Sequence, residues 1–242
     1  MFRSLFLLLF ITIVPFLPKS GIDAGSGEAS RTAVSRETTD SIGTTRTLYE
    51  DLRLERTVSY EAFEEGLRGY MSIDNKEKEI LTLIDFSKPS NLVRLAVIDL
   101  RHGKVLHTSV VSHGKGSGSL YATKFSNRDG SHKSSLGFYL TGNAYKGSNG
   151  YSLKLIGLEK GYNDNAFERA IVIHGADYCS ESVVKSGGQL GRSWGCPALP
   201  RKKNRKIIDT IKGGSVLFIY AEDRNYLAHS PILSSAEAAL AI

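Results

Sequence analysis

The chain has 242 residues, 41% hydrophobic and 23% charged, with 24 glycines and 6 prolines. That composition belongs to a globular protein with a buried core and excludes collagen-like, coiled-coil and wholly disordered chains. The net charge of +6 suits a polyanionic surface but, without a basic stripe, gives no ground for a nucleic-acid partner. Two cysteines, Cys179 and Cys196, are too few for a disulfide scaffold or a cysteine-rich zinc site.

In chain order, Met1-Phe2-Arg3 precedes an apolar run from Ser4 to Val14 that Pro15 and Pro18 end. The run is too short to span a bilayer and has the pattern of a secretory signal over residues 1–24. The body is therefore expected to be exported to the periplasm or cell envelope, with no membrane span after cleavage. Residues 25–45, rich in Ser, Thr, Gly and Ala, read as a flexible leader. Over 46–90 the spacing of Leu48, Leu52, Phe63, Leu67 and Tyr70 predicts helices, with Ser59 capping one that starts at Tyr60 and a second over Lys76–Leu83.

After Lys88-Pro89 the texture changes to short strands. Leu92–Asp99 and Val105–Val111 flank the turn Arg101–Lys104, and Leu136–Thr141, Tyr151–Leu158, Ala170–His174 and Ser215–Tyr220 follow. The expected class is mainly β, a sandwich or open barrel over 91–222 with a small N-terminal helical segment and few short helices. Residues 223–242 are left as a C-terminal tail. Gly114–Ser119 lacks the Gly-Lys-Ser/Thr ending of a phosphate loop and reads as a flexible loop over the site. His102, His107, His113 and His132 stand at no metal-ligand spacing. The run Arg201, Lys202, Lys203, Arg205 and Lys206 reads as a solvated helix face, or as a surface for acidic wall polymer.

Two segments carry chemistry. His174 ends the apolar run Ala170–Ile173, where a strand feeds a loop and can hold a reactive side chain rigidly. Cys196 follows Gly195 in Gly191-Arg192-Ser193-Trp194-Gly195-Cys196-Pro197-Ala198-Leu199, and a glycine lets the backbone turn sharply. A thiol needs a proton acceptor beside it, and imidazole has a suitable pKa; a thiolate–imidazolium pair is one reading. The other makes Cys196 a small buried hydrophobe and His174 a hydrogen-bonded strand end. Trp194 reads equally as core packing or as a pocket wall. Cys179 is expected to be a bystander or a redox partner of Cys196, and a permanent link between the two would abolish nucleophilicity.

His174-Gly175-Ala176, a gap of 16 residues over 177–192, then Ser193-Trp194-Gly195-Cys196 resembles the signature of the YkuD-type murein L,D-transpeptidase catalytic domain family. The Ser-Trp-Gly-Cys-Pro-Ala run is similar to one subgroup of it. Leu95–Val111, His113-Gly114 and Ser134–Tyr139 resemble the family's early strands. This chain departs from the usual pattern at Trp194, Gly175 and Ala198. The resemblance implies a YkuD-like β fold and a cysteine acyltransferase acting on peptidoglycan stem peptides, releasing D-alanine through a thioester and needing no metal or organic cofactor. It implies Cys196 as nucleophile, His174 as base and then acid, the Gly175 carbonyl orienting the imidazole, and the N–H groups of Gly195 and Cys196 as oxyanion donors. Arg192, Ser193, Trp194 and Tyr139 would contact substrate. An L,D-carboxypeptidase using the same site and a catalytically silent wall-binding module are the alternatives, and the oligomeric state is open.

Overall fold

The computed structural model describes residues 43–240. The expected signal sequence and nearly all of the leader lie outside the described residues. No helix among the described residues is long and apolar enough to cross a membrane.

Eight strands form one mixed sheet: β1 (Ile80–Asp85), β2 (Leu95–Asp99), β3 (Lys104–Ser109), β4 (Gly137–Gly147), β5 (Gly150–Gly157), β6 (Val172–Ala176), β7 (Ala198–Pro200) and β8 (Val216–Tyr220). Their order is β3-β2-β1-β8-β4-β5-β6-β7. The pairs β1·β8 and β6·β7 are parallel and the others antiparallel. Beyond β3 the chain runs on to Ser112, whose N–H donates to the Ala198 carbonyl at 2.9 Å. That bridge joins the two ends of the order and rolls the sheet toward a closed barrel. The mainly β expectation and its few short helices are what the chain adopts.

The helix expected over Lys76–Leu83 is instead β1, in the middle of the sheet. From Leu81 to Asp85 every residue is buried, so the strand shows no two-residue alternation, and only the apolar run with β-branched Ile80, Thr82 and Ile84 marks it.

Helix α1 covers residues 43–51. Helix α2 (Tyr60–Met71) starts where expected, with the Ser59 hydroxyl accepting from the Ala62 N–H at 3.2 Å. It lies on β1 and β4 through glycines. A Cβ at Gly69 would stand 2.0 Å from Phe138 Cζ, and one at Gly66 2.4 Å from Leu83 Cδ2. Beneath them Phe138 and Phe218 stack at 4.1 Å between ring centres, each burial worth about 2–3 kcal/mol.

Helix α3 spans Glu181–Gly187, and α4 (Arg201–Ile211) buries Ile207, Ile208 and Ile211 while turning its five basic residues to solvent. Residues 223–240, read as a tail, form α5 (Arg224–His229) and α6 (Pro231–Leu240). They dock because Tyr226 and Leu233 are buried in the core and because Glu159, itself buried, accepts from the Phe138 N–H at 2.7 Å, Tyr226 Oη at 2.9 Å and Ser230 Oγ.

Candidate active site

Cys196 sits on a tight turn just before β7. The Ser193 hydroxyl builds the turn, accepting from the Gly195 N–H at 3.0 Å and donating to the Cys196 carbonyl at 2.6 Å. Gly195 has φ +129°, and a Cβ there would meet Ile171 Cδ1 and the Lys133 carbonyl at 2.9 Å, so only glycine fits. The segment 113–118 clamps the turn from outside. Ser193 N–H donates to the His113 carbonyl at 3.0 Å and Lys115 N–H to the Ser193 carbonyl at 2.8 Å. Ser134 Oγ accepts from Gly114 N–H and donates to the Gly195 carbonyl, both at 3.0 Å. The glycine-rich segment is therefore a packed brace under the site rather than a flexible loop, with Gly114 and Ser117 buried.

Cys196 is partly buried. Its sulfur accepts from the Val172 N–H at 3.5 Å and lies 3.6 Å from the Ala170 carbonyl. Val172 opens β6, the strand that carries His174, and Ala170 lies two residues before it. Two residues at about 3.3 Å each separate Val172 from His174, so the sulfur lies about 7 Å along β6 from the histidine backbone. His174 does not end its strand as expected: it is the middle residue of β6, paired with Ala198 of β7, and Cys196 lies two residues before Ala198. No hydrogen bond joins the two side chains among the described residues. Burial pushes the Cys196 thiol up, while the Val172 N–H and the Arg169 charge pull it down.

His174 is 5% exposed, with Nδ1 3.2 Å from the Gly175 carbonyl. A carbonyl can only accept, so this contact puts the ring proton on Nδ1 and leaves Nε2 as the acceptor. Burial holds the imidazole below the ordinary histidine range; the Gly175 carbonyl opposes this and the Arg201 charge adds to it. A neutral histidine with a free acceptor nitrogen can take a proton near pH 7.

The other expected site residues scatter. Tyr139 cannot reach a substrate: it is fully buried on β4, its hydroxyl donating to the Ser135 carbonyl at 3.0 Å. Ser193 is spent on the turn, and the Gly195 N–H, bonded to Ser193 Oγ, is not free for an oxyanion. The Cys196 N–H donates only toward its own sulfur among the described residues. Arg192 is exposed and bonds the Gly118 carbonyl at 3.0 Å. Trp194 is not core: it is 72% exposed, stacked on His132 at 5.0 Å with the Lys115 ammonium 5.3 Å from its ring. Cys179 and Cys196 are both free.

Two charged neighbours of the site, Arg169 and Arg94, escaped the sequence, and His113, named there only as a scattered histidine and in the His113-Gly114 pair, is joined to Arg94. Arg169 precedes the β6 run and lies against the Cys196 turn. Arg94 is wholly buried, bonding the Val111 and Lys88 carbonyls and donating to His113 Nδ1 at 2.9 Å. Its burial draws it down to about 9, and burial together with Arg94 draws His113 down to about 4. Arg169 had one signal, its place directly before the apolar run that ends in His174. Arg94 and His113 meet only through tertiary packing.

The L,D-transpeptidase catalytic domain family matches residues 54–220, well over half of the chain. The chain belongs to that family. Solved structures it is similar to include an L,D-transpeptidase from Mycobacterium smegmatis (16% identical, 59% of each chain covered, TM-score 0.36). Another is an L,D-transpeptidase from Mycobacterium tuberculosis H37Rv (13% identical, 59% of this chain and 57% of that one, TM-score 0.38). A third is the K307A variant of the helical cell shape determining protein Pgp2 from Campylobacter jejuni (16% identical, 74% and 59%, TM-score 0.43). The chain spans about three fifths of the length of these structures. No curated protein matches it.

Proposed function

We propose that this L,D-transpeptidase domain is an exported cysteine acyltransferase working on peptidoglycan stem peptides. The observation that carries the proposal is the partly buried Cys196 with its sulfur at the entry to β6, the strand that holds a neutral, Nε2-accepting His174. The Cys196 thiol gives its proton to His174 Nε2 when a bound peptide brings the two together, since catalytic hydrogen bonds commonly tighten only in the complex. The thiolate attacks the stem carbonyl that precedes the terminal D-alanine. The Cys196 N–H receives the resulting oxyanion, a donor of this kind being worth ~3 kcal/mol of barrier. The intermediate collapses, the C–N bond breaks, and the D-alanine amine leaves with the proton from His174. The Gly175 carbonyl keeps the imidazole oriented throughout. An amine of a second stem then attacks the thioester, loses its proton to His174 and expels Cys196.

The experiment is mass spectrometry of purified muropeptides incubated with the full chain. Cross-linked dimers that disappear with Cys196→Ala are the expected result. Trimmed monomers instead of dimers mean that water resolves the thioester and the enzyme is an L,D-carboxypeptidase. Binding with no Cys196-dependent product overturns the enzyme and leaves a wall-binding module.

A further inference from the structure

The turn that leads into β6 delivers two groups to the Cys196 sulfur, and the histidine supplies neither. Ala170 stands at φ +51°, an uncommon conformation for a residue with a side chain, and its carbonyl faces the sulfur at 3.6 Å. Arg169, one residue earlier, brings its guanidinium to the Gly195–Cys196 turn, Nη2 standing 3.5 Å from where a Gly195 Cβ would be. The guanidinium is held in place entirely by neutral oxygens. Nη1 donates to the Ser126 carbonyl at 2.9 Å and to Ser135 Oγ; Nη2 donates to the Lys133 carbonyl at 2.7 Å and to Ser131 Oγ at 3.4 Å. Among the described residues no carboxylate forms an ion pair with it, and Asp129 acts only from further off. Such a rigid, half-buried and unneutralised cation is costly unless it serves an anion. Its ionisable neighbours are the Tyr139 hydroxyl, which burial keeps protonated and which donates to the Ser135 carbonyl, and the Cys196 thiol, so the thiol is the one that can become an anion in the working range.

We propose that Arg169 is the counter-charge of Cys196: with the Val172 N–H it stabilises the thiolate, so that His174 is left to carry protons rather than to hold the sulfur ionised. The inference rests on Cys196 being the nucleophile and adds a positioning residue to it. Of the titratable groups, Arg169 and Tyr178 act on the sulfur, while His174 stands further along β6. Tyr178 is pushed up to about 12, mainly by burial and next by Cys196, and so is neutral through the working range. On ionisation the Ala170 carbonyl repels the sulfur, which leaves the Arg169 charge and the Val172 N–H as the favourable influences on it.

The test is the pH profile of iodoacetamide labelling of Cys196 in the full chain, read on the Cys196 peptide. In Arg169→Gln the midpoint rises by about one pH unit or more, a tenfold loss of thiolate at fixed pH, and Arg169→Lys recovers at least half of that shift. A role confined to bracing the loop at 126–135 would be lost equally in both variants. In His174→Gln the midpoint stays put although turnover is lost. A folded Arg169→Gln with an unmoved midpoint overturns the proposal. So does a rise of about one unit in His174→Gln, which decides the matter even if Arg169→Gln does not fold. Muropeptide turnover in Cys196→Ala, run alongside, separates this failure from that of the acyl-transfer proposal. Retained turnover there removes Cys196 as nucleophile, whatever the labelling profiles say.

Discussion

The two cysteines stand on either side of the same short strand. Cys179 has no exposed surface and packs with Val110, Ala176, Leu190 and Ala198, its thiol donating to the Ala198 carbonyl at 3.1 Å. Burial drives it up to about 11. Cys196, two residues before Ala198, meets solvent, an N–H and a cation. Arg94 is the cation nearest Cys179, but its donors are taken up by carbonyls and His113. Nucleophilic character therefore comes from what the flanking turns bring to the sulfur and from access, not from the thiol itself.

Turnover gives the largest way to break that contrast. Cys196→Ala should lower muropeptide conversion by at least about ten-thousandfold, as expected for loss of a covalent nucleophile, whereas Cys179→Ala should stay within about twofold because it alters packing and not the reacting group. Equal losses at an unchanged melting temperature would end the distinction between the two sites.

Labelling sharpens it next. In the native protein near pH 8, Cys196 should react with iodoacetamide at least about a thousandfold faster than Cys179, since a fully buried thiol reacts only through rare opening. Peptide-resolved mass spectrometry reads the ratio, and Cys179 should label freely in urea. Comparable native rates would place both thiols in one mobile region.

The same contrast marks what the sequence could and could not convey. Strands with one wet face, and helix α2 with its Ser59 cap, are legible because their periodicity or end signals are local. Strand β1 is not, because burial on both faces erases alternation. Tyr139 looked reachable because strand polarity says nothing of which face meets the barrel interior. The His174 and Cys196 segments stand out by motif and spacing. Arg169 and the Arg94–His113 pair do not, because contacts made across 19 or more residues leave no periodic trace. The hydroxyl of Ser193 could have been read as a turn former from its place two residues before a glycine.

Two histidines repeat the comparison through pH. His113 is buried beside Arg94, and Arg94 donates to its Nδ1, so the neutral form is the one that fits. Its folded value, about 4, lies below the ordinary 6.5. Below pH 6.5 the unfolded chain takes up a proton that the native state refuses. Stability is therefore full above that point and falls as pH drops toward 4, by roughly 3 kcal/mol over the window. His174, also depressed by burial, adds to the loss with the same sign. Urea unfolding at pH 7 and pH 4.5 measures it, and His113→Gln should flatten the slope. A slope unchanged in that variant would assign acid sensitivity to other groups.

The smallest effect concerns Cys179 as filler. Cys179→Ala removes one sulfur from a dry cluster, and the lost contacts plus the residual cavity should cost about 1–2 kcal/mol. The Ala198 carbonyl still accepts from the Ser112 N–H at 2.9 Å, while the buried Ser112 hydroxyl loses the sulfur beside it. For a chain of this size that loss lowers the melting temperature by about 2–8 °C. Cys179→Ser keeps a donor toward Ala198 but buries a hydroxyl that prefers water, so it should lose a similar amount and gain nothing over alanine. A drop beyond about 12 °C in Cys179→Ala, more than loss of one buried sulfur accounts for, would mean that the thiol holds β7 against the segment carrying Ser112. Cys179 would then support the Cys196 turn instead of filling space behind it.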